Sequence, residues 1–218
     1  MAKSKNGDGS DSDSDAGSGV GARILTRALD DGGFSPPTPK TRERGGEGSS
    51  RGDQGPADDP IRRYTDDSDE LNRYLRTTDK SKYSAEDKAR LDKQADDIAA
   101  ELKKRPVPDE RVTWRGLPGG AWLDKYKKGD LYSDPAFMST SKSEATANRF
   151  KTIATGGFSG ERRPGAIFRV DGMTGRDVSR DSSLGHQDEV LYDRGALFRI
   201  TDRRQDGDTT YIDMTQLG

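Results

Sequence analysis

The sequence predicts an α+β domain preceded by a long arm with no core of its own. Apolar residues are sparse before residue 58 and concentrated after it. The stretch that follows has helical spacing, and strand-like runs appear only after Pro108. Helices and strands are thus segregated along the chain rather than alternating as in a βαβ fold.

The arm, residues 1–57, is rich in Gly, Ser and Asp, and its only large apolar residues are Met1, Val20, Ile24, Leu25, Leu29 and Phe34. Burying so few side chains falls far short of the entropy lost in ordering such a length of backbone, which predicts a disordered extension. The whole-chain figures agree: 28% hydrophobic, 35% charged and a mean hydropathy of −1.05. Ile24, Leu25, Ala28 and Leu29 share a helical face, read either as a docking element or as a transient helix. Asp11, Asp13 and Asp15 have the opening spacing of a calcium loop, but Ala16 stands where the turn glycine belongs, so the run reads as a solvated acidic tract.

The domain is expected over residues 58–218. Asp59-Pro60 is a helix start, with proline at the first helical position. Leu71, Tyr74 and Leu75 recur at helical spacing beside Asn72. Ser84-x-x-Asp87 predicts a cap opening a longer helix whose apolar face is Leu91, Ala95, Ile98, Ala99 and Leu102. Lys103, Lys104 and Arg105 suit the negative end of its dipole, and Pro106 stops it. Strands are predicted at Val112–Trp114, Ala166–Val170, Glu189–Tyr192, Ala196–Ile200 and Thr209–Met214, with Asp193-Arg194-Gly195 as a tight link between two of them. Ser141-x-x-Glu144 predicts a second cap, opening a short helix that ends near Phe150.

Inventory excludes several chemistries. There is no cysteine, hence no disulfide or thiolate metal site. The only histidine, His186, leaves no zinc cluster and no Ser-His-Asp triad, so no metal is expected. Thirty-seven basic and 39 acidic residues give a net charge of −2, which makes no electrostatic case for a nucleic-acid binder. No run is long and apolar enough for a membrane span, and the first residues do not form a secretory signal. The expectation is a chain that is cytoplasmic at synthesis, does not engage membranes, and is exported, if at all, by a specialised secretion or injection system.

Three motifs remain, each at a strand or strand edge. They are Val112-Thr113-Trp114-Arg115-Gly116-Leu117, Phe137-Met138-Ser139-Thr140-Ser141, and Gln187-Asp188-Glu189-Val190-Leu191 followed by Arg194-Gly195. In this order they resemble the Arg/Ser-Thr-Ser/Glu group of bacterial mono-ADP-ribosyltransferase toxins. Ile61-Arg62-Arg63-Tyr64-Thr65 and Leu71-Asn72-x-x-Leu75-Arg76 are similar to that family's helical lead-in. The resemblance covers about residues 58 to 218. It implies helices packed on a mixed β-sandwich core, and an enzyme that cleaves NAD, its co-substrate, and transfers ADP-ribose to a macromolecular acceptor, protein ahead of nucleic acid. It also implies a monomer that acts as a toxin or effector, with a delivery or immunity protein as a further partner.

The resemblance assigns roles residue by residue. Loss of nicotinamide leaves an oxocarbenium-like ribose, and Glu189 is the carboxylate that stabilises it and holds a ribose hydroxyl. Arg115 is the fixed cation for the pyrophosphate or the ribose oxygens. Ser139 orients Glu189, with Thr140 in support, and the Gly116 backbone reaches the nicotinamide amide. Within Gly156–Arg163, Phe158 stacks on the ring and Arg162 or Arg163 binds phosphate, unless the segment is an ordinary glycine-rich hairpin. Gln187 stands two positions before Glu189, where arginine-modifying relatives carry Glu. An amide pairs with an amide or a base edge, which favours asparagine, glutamine or guanine over arginine as acceptor. Leu184 replaces the aromatic of the Rho-modifying exoenzymes, and His186 belongs to the acceptor-facing loop. Two other readings stay open: an NAD glycohydrolase using the same site, and a non-enzymatic module recruiting partners through its arm.

Overall fold

A computed structural model describes residues 59–156, 163–182 and 187–218. Residues 1–57, with the Ile24–Leu29 face, lie outside the described residues, as do Phe158, Arg162, Leu184 and His186.

Three helices come first, as two predicted caps and the spacing of Leu71, Tyr74 and Leu75 lead one to expect. Helix α1 (Pro60–Asp66) starts where the Asp59 carboxylate accepts the Ile61 N–H at 2.7 Å. Helix α2 spans Asp69–Arg76 and α3 spans Ala85–Leu102. Ser84 Oγ accepts the Asp87 N–H at 3.0 Å and caps α3. Ile61, Tyr64, Leu71, Tyr74 and the predicted α3 face pack into one apolar cluster with Leu191 and with Phe137 and Val178, which stand in the chain beside strands.

The strands are β1 (Val112–Pro118), β2 (Leu131–Ser133), β3 (Met138–Ser141), β4 (Gly165–Asp171), β5 (Arg176–Asp177), β6 (Glu189–Tyr192), β7 (Leu197–Asp206) and β8 (Thr209–Gln216). Helix α4 (Glu144–Ala154) follows β3. Every strand predicted from the sequence is present, but β1 continues to Pro118 and β7 runs on to Asp206 past an irregularity between Ile200 and Asp202. The short strands β2 and β5 were not predicted.

The sheet order is β2-β7-β8-β4-β1-β3-β6-β5, antiparallel except for the parallel β4–β8 pair. The chain passes from β6 to β7 through Asp193–Ala196 alone, turning at Gly195 with φ +76°. Those strands are five positions apart, about 24 Å in a flat sheet, whereas the link reaches roughly 17 Å at full extension. The sheet therefore folds over on itself. Val190 and Tyr192 of β6 pack into one core with Phe168 of β4, Phe198 and Ile200 of β7, and Ile212 and Met214 of β8. The Tyr192 and Phe198 rings meet edge to face at 5.5 Å. This is the expected sandwich, with the helical layer on the outer face of β3-β6-β5.

Two local readings are corrected. Ser143, not Ser141, caps α4, accepting the Thr146 N–H at 3.2 Å. Ser141 is still in β3, paired with Glu189 and Trp114, so its backbone is committed to the ladder, and its hydroxyl donates to the Gln187 carbonyl at 2.6 Å. The helix also runs one turn past Phe150, to Ala154, burying Ala147 and Ala154 against the sheet.

Candidate active site

The line along which the sheet folds is where the three motifs meet. Strand β1 pairs with β4 along its whole length, and β3 pairs with β6 along its whole length. Between β1 and β3 there is one registered pair, Trp114 with Ser141, so the two strands splay apart. A cleft lies in that split. Trp114, Arg115, Gly116, Ser139, Thr140, Ser141, Phe150, Gln187 and Glu189 line it.

Register explains which side chains face each other. Ser139 pairs with Leu191 and Ser141 with Glu189, so all four share the face turned toward the helical layer. There the Tyr64 hydroxyl of α1 hydrogen-bonds Ser139, and Asn72 Nδ2 donates to the Tyr64 hydroxyl at 3.0 Å. Thr140 faces the other way, buried, and donates to the Val190 carbonyl at 2.9 Å, so it braces β3 against β6.

Glu189 is 4% exposed. Burial pushes its carboxyl up to about 7, against the pull of hydrogen bonds from Ser139 and Ser182 and of the Arg115 charge. Asp188, just before it, has φ +50°, a left-handed conformation that asparagine and aspartate tolerate better than most residues. Gln187 is half-buried on the cleft wall, with its carbonyl tied to Ser141.

Arg115 is buried and spans the split, donating from Nη1 to the Ser139 carbonyl at 3.1 Å. Burial and the neighbouring Arg76 charge hold its pKa below the ordinary guanidinium value. Asp134 offsets the crowding of cations. It binds Arg76 through both carboxylate oxygens at 3.0 and 2.8 Å and accepts the Ala136 N–H at 2.9 Å. Although burial opposes ionisation, Arg76 and Arg115 keep its carboxyl below the usual range.

The structure thus brings together Arg115, Gly116, Ser139, Thr140, Gln187 and Glu189. It leaves Arg163 exposed, two residues before β4 and off the cleft lining. Gly116 gains a reason that the sequence did not disclose: a Cβ there would lie 1.8 Å from the Ala147 carbonyl oxygen, so its missing side chain lets α4 dock on β1. Sequence reasoning missed Tyr64, Asn72, Phe150 and Ser182 as neighbours of the site. Tyr64 and Asn72 stand in the helical motifs already noted, and their distance of eight along the chain was the available signal. Phe150 on α4 joins Trp114 of β1 as an aromatic at the cleft. Among the described residues no group of three or more His, Asp or Glu could hold a metal, and no helix is long and apolar enough to cross a membrane.

The profile described as ADP-ribosyltransferase exoenzyme matches residues 57–217. The chain is 31% identical over 144 residues to the ADP-ribosyltransferase Vis of Vibrio splendidus, a match covering 65% of this chain and 56% of Vis. It is 31% identical over 109 residues to Exoenzyme T of Pseudomonas aeruginosa, covering 50% of this chain and 21% of that protein. The chain therefore spans between about a fifth and just over half of these two relatives. The crystal structure of Vis in complex with agmatine superposes with a TM-score of 0.62 at 27% identity, over 75% of each chain. With the profile spanning all three motifs and the helical lead-in, the chain belongs to the ADP-ribosyltransferase exoenzyme family.

Proposed function

We propose that residues 58–218 form a catalytic domain that cleaves the nicotinamide–ribose bond of NAD and transfers ADP-ribose to a macromolecular acceptor, as a secreted toxin or effector. The observation that carries this reading is the meeting of Arg115, Ser139, Gln187 and Glu189 in one cleft at the β1/β3 split. Ionised Glu189 faces the ribose as positive charge develops there, with Ser139 holding its carboxylate and Tyr64 holding Ser139. Arg115, fixed by the Ser139 carbonyl, is a preorganised cation for the pyrophosphate or ribose oxygens. The Gly116 backbone and the Phe150 ring, both on the cleft lining, give the nicotinamide an amide contact and a flat apolar wall. Arg163, with Phe158 and Arg162 outside the described residues, belongs to the segment assigned to phosphate and nicotinamide cover.

Reaction needs the carboxylate of Glu189, so kcat/KM for NAD is expected to fall below an acid limb centred near pH 7. A limb near pH 4.5, the ordinary value, would contradict the burial argument. The same shift affects stability with the opposite sense. The folded state holds a proton on Glu189 that the unfolded state has lost, so this group's contribution is complete below pH 4.5 and is lost as pH rises from 4.5 through about 7.

Gln187 lies beside Glu189 on the cleft wall and is the proposed acceptor contact, favouring an amide or guanine edge. Labelled NAD with a cell lysate tests this. Gln187→Ala is expected to stop label entering macromolecules, by about 10-fold or more for one lost polar contact, while hydrolysis of NAD continues. Transfer that survives the substitution would refute the role. The agmatine complex of Vis, whose name specifies arginine as acceptor, favours a second reading with a guanidinium acceptor. Modification of agmatine at a rate matching macromolecular transfer would select it.

A further inference from the structure

Residues Val178–Ser182, which follow β5, are folded back onto β6 and clamped from outside the cleft. Val178 donates its N–H to the Glu189 carbonyl at 3.0 Å, and the Asp181 and Ser182 N–H groups close a turn on the Val178 carbonyl at 2.9 and 3.1 Å. The Val178 side chain is anchored in the helical cluster, fully buried. Asp181, on the outside of that turn, receives the fork of Arg105, Nε at 2.7 Å and Nη2 at 3.2 Å. Arg105 is itself fixed by Glu101 of α3 at 2.7 Å and by the Asp59 cap of α1. The peptide beyond it adds a backbone clip, the Asp177 N–H donating to the Pro106 carbonyl at 2.8 Å. One guanidinium thus ties the ends of two helices to the turn. The next residue, Ser182, is 6% exposed, and its hydroxyl hydrogen-bonds the Glu189 carboxylate.

We infer that Ser182 is a positioning residue, a second hydroxyl beside Ser139 that orients and keeps ionised the carboxylate of Glu189, and that the Arg105–Asp181 clamp sets its place. This rests on the reading of Glu189 given above and adds a part of the machinery that none of the three motifs contains. The charged and titratable groups facing Glu189 are Arg115 from β1 and Tyr64 from α1, and neither can replace a hydroxyl delivered from the turn. A hydrogen bond to an anion is stronger than one between neutral groups, so losing it disfavours the ionised form.

The test is the titration of the Glu189 side-chain carboxyl, followed by carbon NMR in glutamate-labelled protein and assigned with Glu189→Gln. It needs no turnover. Ser182→Ala is expected to raise the titration midpoint by about one pH unit, and Ser182→Thr to restore it. Asp181→Asn, which loosens the clamp without touching the site, is expected to move the midpoint the same way by a smaller amount. In parallel, the acid limb of NAD cleavage should shift upward in Ser182→Ala with KM unchanged. An unchanged Glu189 midpoint in Ser182→Ala overturns the inference, as does a uniform loss of activity at every pH with no shift of the limb. If the variants show the expected titration shifts but the wild-type protein cleaves no NAD, the catalytic reading is overturned and the positioning role stands.

Discussion

Glu189→Ala is expected to reduce NAD cleavage by at least 10²–10³-fold, the usual cost of removing one preorganised electrostatic contact from a transition state. The loss should fall on kcat rather than on KM, because a carboxylate facing developing positive charge does little for the neutral sugar before the bond stretches. Removal should not damage the fold. Glu189 is a buried carboxyl with its pKa pushed up to about 7 by burial, so at neutral pH and above its ionised form is a burden on stability. Glu189→Gln, which keeps the volume and the hydroxyl partners, should match or exceed wild-type thermal stability at pH 8 while losing cleavage equally. Steady-state kinetics and a melting curve at pH 8 check both halves. A kcat within tenfold of wild type would remove Glu189 from the chemistry.

Gly116→Ala is expected to cost stability and activity together. The added Cβ would sit 1.8 Å from the Ala147 carbonyl oxygen and 2.8 Å from the Lys151 nitrogen. Both are backbone atoms of α4, so no rotamer change relieves the clash, and the helix must lift from β1. Overpacking of this kind costs about 3 kcal/mol. For a domain of this size the melting temperature should fall by roughly 10 °C. Because Gly116 and Phe150 also line the cleft, shifting α4 widens it, and KM for NAD should rise even at temperatures where the protein stays folded. A melting temperature within 2–3 °C of wild type, about the effect of 1 kcal/mol, would mean that α4 does not bear on this glycine.

These two residues illustrate how much was legible in the sequence. Helices α1 and α3 and the cap residues Asp59 and Ser84 were readable because capping is local: donor and acceptor lie two or three residues apart. The Ser141 cap failed on the same rule. Ser141-x-x-Glu144 satisfies the local pattern, but Ser141 is held in the β ladder opposite Glu189, and the choice between Ser141 and Ser143 is made by a strand 48 residues away. Strands β2 and β5 are too short for alternation to register, and their existence depends on β7 and β6 as templates. Resemblance supplied the motif residues of the cleft, because each motif carries its residues within a few positions. Tyr64, Phe150 and Ser182 reach the cleft from a helix of the lead-in, a helix after the second motif and a clamped turn. No spacing relates them. The packing of α4 on Gly116 was not legible, since a glycine in a sequence announces a close approach without naming what approaches.

The split between β1 and β3 is the claim on which the functional reading depends, and a crystal structure with a non-hydrolysable NAD analogue tests it most directly. The nicotinamide ribose is expected within hydrogen-bond distance of Glu189 and Ser139, with the Arg115 guanidinium against the pyrophosphate or ribose oxygens and the nicotinamide between Gly116 and Phe150. A dinucleotide bound elsewhere on the molecule, or a cleft left empty at saturating analogue, would contradict it.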